Sequence, residues 1–394
     1  MYEIPLGPVA HRDPWLLGLG DRLRLFHRRS IRVAYFSSRP NNSSFRYRVF
    51  AMAQIINESD IEVGASWFYQ SDGAVLDEVF RTADVVVVHR SEYTARLEEL
   101  IRSAQARSIP VLYDSDDLVF EPRLIPLLLN TLNQPLPDDE REPIWMVWFS
   151  MIGRQRATLE LCDGFIGSTE SLIEHARPLG LPVHHVPNFP TREQQTYSDA
   201  LVTSRRDAGN RRDGRIHVGY FSGTPTHVKD LAIASDGLRR LAAKYPEVVI
   251  RLVGYMTPEE AGLEGMGSQI EQVPFTDYLN LQRVIAETEI SVAPLQANAF
   301  THCKSELKWF DAAAVAIPTL VSPTKSMTSA VTDGVDGIVV RNHEWFTTLE
   351  ELVENDLGQE ICTRAYESVT ERYAPSRNLS AVLNALSLPQ GGSM

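Results

Sequence analysis

The sequence predicts an α/β protein of two doubly wound domains facing each other across a cleft, and three observations predict it. The chain has 394 residues, more than one ordinary domain needs. From Ile31 onward one theme recurs, a short β-branched or aromatic run, a turn rich in Gly, Ser, Asn or Asp, then an amphipathic stretch. This is the signature of βα alternation. The pattern stops at a polar interval and then restarts, so two sheets are expected rather than one.

Residues 1–29 read as an amphipathic, basic extension. Within it WLLGLGDRLRLFHRR places Leu16, Leu19, Leu23 and Phe26 near helical spacing, with Arg22, Arg24, Arg28 and Arg29 close by. Such a helix either lies on an anionic membrane surface or packs on its own domain. Residues 30–197 make the first domain, with strands expected at Ile31–Ser37, Ile61–Phe68, Asp84–His89, Ile109–Tyr113, Gly164–Gly167 and Val183–Val186. Their apolar content fits strands buried on both faces. Pro143–Gly153 departs from the pattern: Trp145, Met146, Val147, Trp148, Phe149, Met151 and Ile152 are apolar nearly all round. That fits a buried helix, or a lid or acceptor platform beside the cleft. Residues 198–215 contain SRRDAGNRRDGR and read as a linker. The second domain, 216–372, restarts with strands at Ile216–Phe221, Val248–Val253, Ile270–Val273, Ile290–Ala293, Thr319–Val321 and Gly337–Val340. Residues 373–394 follow as a C-terminal helix and tail. Ligands of such sheets bind outside the carboxyl ends of the strands, which places the cleft between the two sets of ends.

Composition narrows the function. A chain 43% hydrophobic and 23% charged is a globular one. With 51 acidic against 38 basic residues and a net charge of −13, it lacks the Lys and Arg surplus of a nucleic-acid binder. Cys162, Cys303 and Cys362 show no CxxC or metal-ligand spacing, so neither a disulfide framework nor a zinc site is expected and a reducing cytosol fits. Met1–Ser30 has no signal-peptide pattern, and no apolar run approaches the ~20 residues of a membrane span. A cytoplasmic protein, with peripheral contact at the inner face of the plasma membrane through the basic extension, is the expectation.

The chemistry concentrates in Asn298–Ser322, NAFTHCKSELKWFDAAAVAIPTLVS, which follows a strand, runs through a polar turn and enters a helix near Lys304 or Ser305. A helix N-terminus there offers unpaired N–H groups to an anion. Lys304 and Lys308 share a helix face and Asp311 follows one turn on. Two cations and a carboxylate suit a ligand with phosphates and a hydroxylated ring; a solvated, salt-bridged face is the plain alternative. The first turn of the second domain, SGTPTHVKDL, strengthens the former reading. Gly223 and Thr224 lie in a small-residue loop that lets backbone approach a diphosphate, and His227 and Lys229 stand near the start of the next helix. Neither G-x-x-x-x-G-K-[ST] nor G-x-G-x-x-G occurs, which removes the main support for ATPase, kinase and dehydrogenase readings. In the first domain SSRPNNSSFRYRV puts Arg46 and Arg48 at the opening of a helix, and His89 and Arg90 end a strand. YDSDDLVF sets Asp114, Asp116 and Asp117 where α/β folds display catalytic groups. These carboxylates could orient an acceptor hydroxyl, bind a cation or cap the next helix.

These segments resemble the nucleotide-sugar-binding half of retaining GT-B glycosyltransferases, particularly the bacterial family 4 enzymes that build cell-surface polysaccharides. The matching pieces are VGYFSGTPTHVKDL, YPEVVIRLVGY, VPFTDYLNLQRVIAETEISVAPL, CKSELKWFDAAAVAIPTLVSP and DGVDGIVV, which together cover nearly the whole second domain. The resemblance implies the GT-B architecture of two Rossmann-like domains. It also implies that Asp311 meets the ribose hydroxyls and that Gly223 and Lys229 sit at the phosphate loop, where Thr224 and His227 are further expected donor-binding residues. By the same resemblance Gly254, Tyr255 and Phe275 border the base pocket, while His302, Lys304, Ser305 and Lys308 face the diphosphate or the transferred sugar. Three departures stand out: Gly223 occupies the place of an Arg found in some members, Cys303 that of the first Glu of E-x7-E, and Asp replaces the second Glu at 311.

The function this implies is retaining transfer of a hexosyl or deoxyhexosyl unit from a nucleotide diphosphate sugar to a hydroxyl of a glycan or lipid-linked acceptor, in surface polysaccharide synthesis. Asp114, Asp116, Asp117 and Lys229 are the expected catalytic residues, and Arg46, Arg48, His89 and Arg90 the expected acceptor-binding ones. Charge growing on the leaving diphosphate would be met by Lys229, Lys304, Lys308 and helix N-terminal amides. No cofactor and no catalytic metal are expected, since Asp114-Ser115-Asp116 reads as DxD but lies outside the nucleotide half. A nucleotide-sugar epimerase of the same architecture and a non-catalytic nucleotide-sugar-binding protein are the alternatives.

Overall fold

The twelve expected strands are all present in the computed structural model, which describes residues 1–38, 43–134, 141–355 and 358–388. In the first domain they are β1 (Ile31–Ser37), β2 (Val63–Tyr69), β3 (Val85–His89), β4 (Val111–Ser115), β5 (Gly164–Gly167) and β6 (Val183–His185). In the second they are β7 (Ile216–Ser222), β8 (Val248–Gly254), β9 (Ile270–Val273), β10 (Ile290–Ala293), β11 (Thr319–Val321) and β12 (Ile338–Val339). All pair in parallel, in the orders β2-β1-β3-β4-β5-β6 and β12-β11-β10-β7-β8-β9. Runs such as VVVVH in β3, buried at every position, occur because helices cover both faces of each sheet.

The strand order fixes where ligands meet the sheets. In the first domain the order reverses between β1 and β3, and in the second between β7 and β10. The loops leaving neighbouring strands at such a point diverge and open a crevice. The segments after β1 and β3 therefore face one crevice, and those after β7 and β10 the other.

The two domains share more structure than a tether. Trp309 and Phe310 of the second domain, and Val382 and Ala385 of the helix Pro375–Ala385, belong to one buried cluster with Val33, Ile55 and Trp67 of the first. The chain thus returns to its starting domain at its C-terminal helix.

One expectation needs correction, and the structure bears on two pairs of alternatives left open above. The stretch 198–215 is not a bare linker, because the helix Arg192–Asp207 runs through its first ten residues. That helix buries Leu201 and Val202, and Arg205 is only 5% exposed, its guanidinium donating to the Ala286 carbonyl at 3.3 Å and the Ala316 carbonyl at 3.0 Å. The N-terminal segment packs on the protein itself. Phe26 of the helix Leu19–Phe26 is fully buried, and Arg22 pairs with Asp72 at 2.6 Å, so the side that a membrane would need is turned inward. Upstream, Arg283 donates to the Leu6 carbonyl at 2.9 Å and the Val9 amide to Asn280 Oδ1 at 3.0 Å, straddling both domains. The apolar stretch Pro143–Gly153 lies in the helix Arg141–Leu161, with Ile152 buried but Met146, Val147 and Phe149 exposed. Residues 39–42 of the first loop lie outside the described residues. Among the described residues no helix is long and apolar enough to cross a membrane.

Candidate functional site

The crevice of the second domain is built on a constraint in the backbone. β7 and β8 stay in register to the pair Ser222↔Gly254. There Gly254 has φ +107°, and a Cβ would lie 1.9 Å from the Ser222 carbonyl oxygen. Only glycine fits. Tyr255 follows it, and its ring stacks on Phe275 with centroids 5.1 Å apart and an interplanar angle of 27°. Both rings are more than half exposed, at 52% and 56%, and present a flat aromatic face. Gly223 meets nothing within 4 Å of a Cβ position, so the site asks for no glycine there by crowding. Thr224 is exposed, its hydroxyl 2.8 Å from that of Thr226.

Beneath this loop Lys308 donates to the Phe221 carbonyl, with its ammonium 4.5 Å from the centre of the Tyr220 ring. Burial, reinforced by Lys304 and opposed by Asp230, pushes its pKa down to about 8. His227 Nδ1 lies 2.8 Å from Asp230 Oδ2. Burial lowers the His227 pKa, and Lys308 and Lys304 act in the same direction. Two ammonium groups thus stand near an uncharged imidazole, and an entering anion would relieve the repulsion between Lys304 and Lys308.

Across the cleft, β3 and β4 deliver a second charged group. Arg90, in the left-handed region at φ +37°, donates to Ser44 Oγ at 2.7 Å and Asp116 Oδ1 at 2.9 Å, and lies 3.4 Å from Asp117 Oδ2. A non-glycine residue keeps that conformation only when its surroundings hold it there. Burial opposes ionisation of Asp116, yet Arg90 and the Ser44 hydroxyl outweigh it and hold its pKa at about 2. Asp117 closes the cleft, with Oδ1 3.4 Å from Lys304 Nζ.

Other expected site residues sit elsewhere. Asp114 and Arg48 do not face an acceptor: they form a buried pair, 2% and 0% exposed, with contacts of 2.7 and 2.9 Å. Both carboxylate oxygens of Asp114 are committed to Arg48, which removes it from the catalytic set. Arg46 is likewise withdrawn, its guanidinium carbon 4.3 Å from the centres of both the Tyr47 and Tyr278 rings. His89 is 1% exposed, and burial, with Arg90 and Arg48, drives its pKa down to about 3. It is a neutral core histidine near Ser37 Oγ at 3.4 Å.

Lys229 reaches over the cleft edge and donates to the Asn130 carbonyl and Oδ1 at 2.8 and 2.7 Å, away from the loop it was expected to serve. His302 Nδ1 accepts from the Lys325 amide at 3.2 Å, and Ser305 Oγ from Asn188 Nδ2 at 3.1 Å. Asp311 stands at the domain boundary, where Oδ1 takes bonds from Gln194 Nε2 at 2.9 Å, Gln282 Nε2 at 3.3 Å and Tyr47 OH at 3.5 Å. Burial raises its pKa. Only its other oxygen remains for a sugar hydroxyl. Ser44, Gln194, Gln282 and Gln296 had no sequence signal that separates them from ordinary surface polar residues, whereas Asp230, one helical turn after His227, did. Among the described residues no group of three or more His, Cys, Asp or Glu is arranged to hold a metal ion.

Comparisons with known proteins bear on the family of the second domain and on the fold. Residues 215–355 match the family described as Glycosyl transferases group 1. Among solved structures, Alr3699/HepE of Anabaena in complex with UDP and glucose has a TM-score of 0.58 at 12% identity, covering 90% of this chain and 99% of that one. A point mutant of TarM from S. aureus, in complex with fondaparinux, alpha-GlcNAc-glycerol and UDP, has a TM-score of 0.54 at 13% identity, covering 79% of this chain and 57% of that one. A UDP-forming α,α-trehalose-phosphate synthase from Burkholderia xenovorans has a TM-score of 0.52 at 12% identity, covering 91% and 100%. No curated protein matches the sequence. The second domain is a group 1 glycosyltransferase domain, and the two facing sheets are the GT-B architecture. The family match of the second domain and the shared fold together support a glycosyltransferase.

Proposed function

We propose that the protein moves a hexosyl or deoxyhexosyl unit from a nucleoside diphosphate sugar to a hydroxyl of a glycan or lipid-linked glycan, with retention of anomeric configuration, in the synthesis of a surface polysaccharide. One observation carries the donor assignment: Lys308 donates to the Phe221 carbonyl at the end of β7, next to the Ser222–Gly254 pair that leads into the exposed Tyr255–Phe275 stack. Cations held in a partly dry site stabilise charge on a leaving diphosphate far better than water does. That role needs no metal. A uridine nucleotide is the first base to test, because Alr3699/HepE and TarM were solved with UDP.

Support for retention comes from Asp117, whose contact with Lys304 brings the acceptor domain to the diphosphate side of the donor. A hydroxyl delivered from that side attacks the face that the diphosphate leaves. Asp117 and Asp116, the latter fixed by Arg90, are the carboxylates available to orient it. Exposed Met146, Val147 and Phe149 offer an apolar surface for the lipid of a lipid-linked acceptor.

The test is incubation of the purified protein with UDP-, GDP- and ADP-sugars and a glycan acceptor, with and without EDTA, followed by NMR of the anomeric proton of the product. Transfer with an unchanged anomer and no loss in EDTA is expected. An inverted product, or activity abolished by EDTA and restored by Mn²⁺, overturns the mechanism. Donor turnover with no acceptor present would instead identify an epimerase.

A further inference from the structure

We infer that Asp230 is a positioning residue for the leaving diphosphate, fixing the His227 ring so that Nε2 serves the phosphates and tying the phosphate loop to the acceptor domain through Gln296. The inference rests on the donor assignment above and deepens it. Asp230 is 1% exposed. Its Oδ2 meets His227 Nδ1 at 2.8 Å, and its Oδ1 accepts from the backbone N–H and the side-chain Nε2 of Gln296, both at 3.0 Å. A carboxylate on Nδ1 selects the tautomer with the other ring nitrogen free, and stabilises the imidazolium once that nitrogen takes a proton.

Gln296 extends the connection. Its Nε2 also donates to the Thr131 carbonyl at 3.0 Å, at the carboxyl end of the acceptor-domain helix Ile125–Thr131. Asn298 Nδ2 bonds Thr131 Oγ1 at 3.1 Å, and Lys229 holds Asn130 beside it. One carboxylate therefore links the group that meets the phosphates to one of the contacts between the domains.

The groups facing His227 set the pH response. Burial, Lys308 and Lys304 disfavour the imidazolium, and Asp230 alone among the charged neighbours favours it. A diphosphate adds negative charge, so its binding draws a proton onto His227 and strengthens as pH falls. Asp230→Asn keeps the shape and removes the charge, which moves that strengthening to lower pH.

The experiment titrates UDP, with GDP and ADP in parallel, into the full-length wild type, His227→Gln, Asp230→Asn and the double variant from pH 5.5 to 8.5 by calorimetry. The melting temperature of each free protein is recorded alongside. Each single variant is expected to bind roughly tenfold more weakly at pH 6, and the double variant no more weakly than His227→Gln, because the two residues act as one unit. The wild type gains more affinity toward acid than His227→Gln, whose remaining slope belongs to the nucleotide. Additive losses, or a His227→Gln slope parallel to that of the wild type, overturn the inference and leave Asp230 a structural residue. Should Asp230→Asn fail to fold, the slope comparison between His227→Gln and wild type decides alone. If the wild type binds none of the three nucleotides, the donor assignment falls first and the inference with it.

Discussion

Asp114→Ala separates the structural carboxylate from the functional ones. Arg48 is fully buried and takes both oxygens of Asp114. Removing one member of such a pair leaves an uncompensated buried charge, at a cost of about 3–5 kcal/mol. Arg48 keeps the Val186 carbonyl at 2.6 Å and Asn188 Oδ1 at 3.2 Å, which places the loss toward the lower end. For a domain of this size each kcal/mol lowers Tm by about 2–4 °C, so a fall of roughly 6–20 °C is expected. Circular dichroism melting of the two variants Asp114→Ala and Asp117→Ala makes the comparison. Asp117 is a partly exposed partner at 3.4 Å from Lys304, so its removal changes stability by about 1 kcal/mol or less while lowering transfer. The double variant Arg48→Met/Asp114→Leu should recover most of the lost stability, since an apolar pair of similar volume has no charge to desolvate. An Asp114→Ala protein that melts within about 2 °C of wild type yet transfers no sugar would return Asp114 to the reacting atoms.

Other predictions follow from single geometries. His89 has a pKa of about 3 in the folded protein against 6.5 unperturbed, so the unfolded chain binds more protons between those values and stability falls as pH drops through that window. His89→Gln removes that component, and urea unfolding at pH 7 and pH 5 should show the variant gaining about 2 kcal/mol on wild type. Phe275→Ala should weaken nucleoside diphosphate binding roughly tenfold by isothermal titration with Tm unchanged, because a base loses its stacking face and an exposed ring adds little to stability; equal affinity would move the base elsewhere. Gly254→Ala forces a Cβ against the Ser222 carbonyl, and hydrogen exchange should show β7 and β8 opening where wild type is protected.

How much of this was legible in the sequence follows from the range of the interactions involved. Strands were legible because a run such as VVVVH can be satisfied only between two layers of helix, a local pattern with one outcome. The stretch 198–215 was misread because charge was taken as solvation. Arg205 is charged and yet buried, its guanidinium satisfying carbonyls at the ends of two helices that lie far away in the sequence. The acidic run at 114–117 shows the same limit. Its three carboxylates look alike in sequence, and their roles divide only because Arg48 comes from one side and Arg90 and Lys304 from the other. Lys229 shows it at the level of the site, since nothing near it in the sequence announces Asn130. Asp230 was within reach, as THVKD sets its carboxylate one turn from His227.

A nucleoside diphosphate sugar proposed to seat in the β7/β10 crevice would meet Lys308 and Asp311. Thermal unfolding against UDP, GDP, ADP and the corresponding monophosphates tests this seating most directly, because a ligand of the native state at a hundred times its Kd adds about 2.7 kcal/mol. One diphosphate should raise Tm by several degrees and its monophosphate by less, and Lys308→Met and Asp311→Ala should abolish the shift. Silence across the panel, or a shift undiminished in both variants, would contradict it.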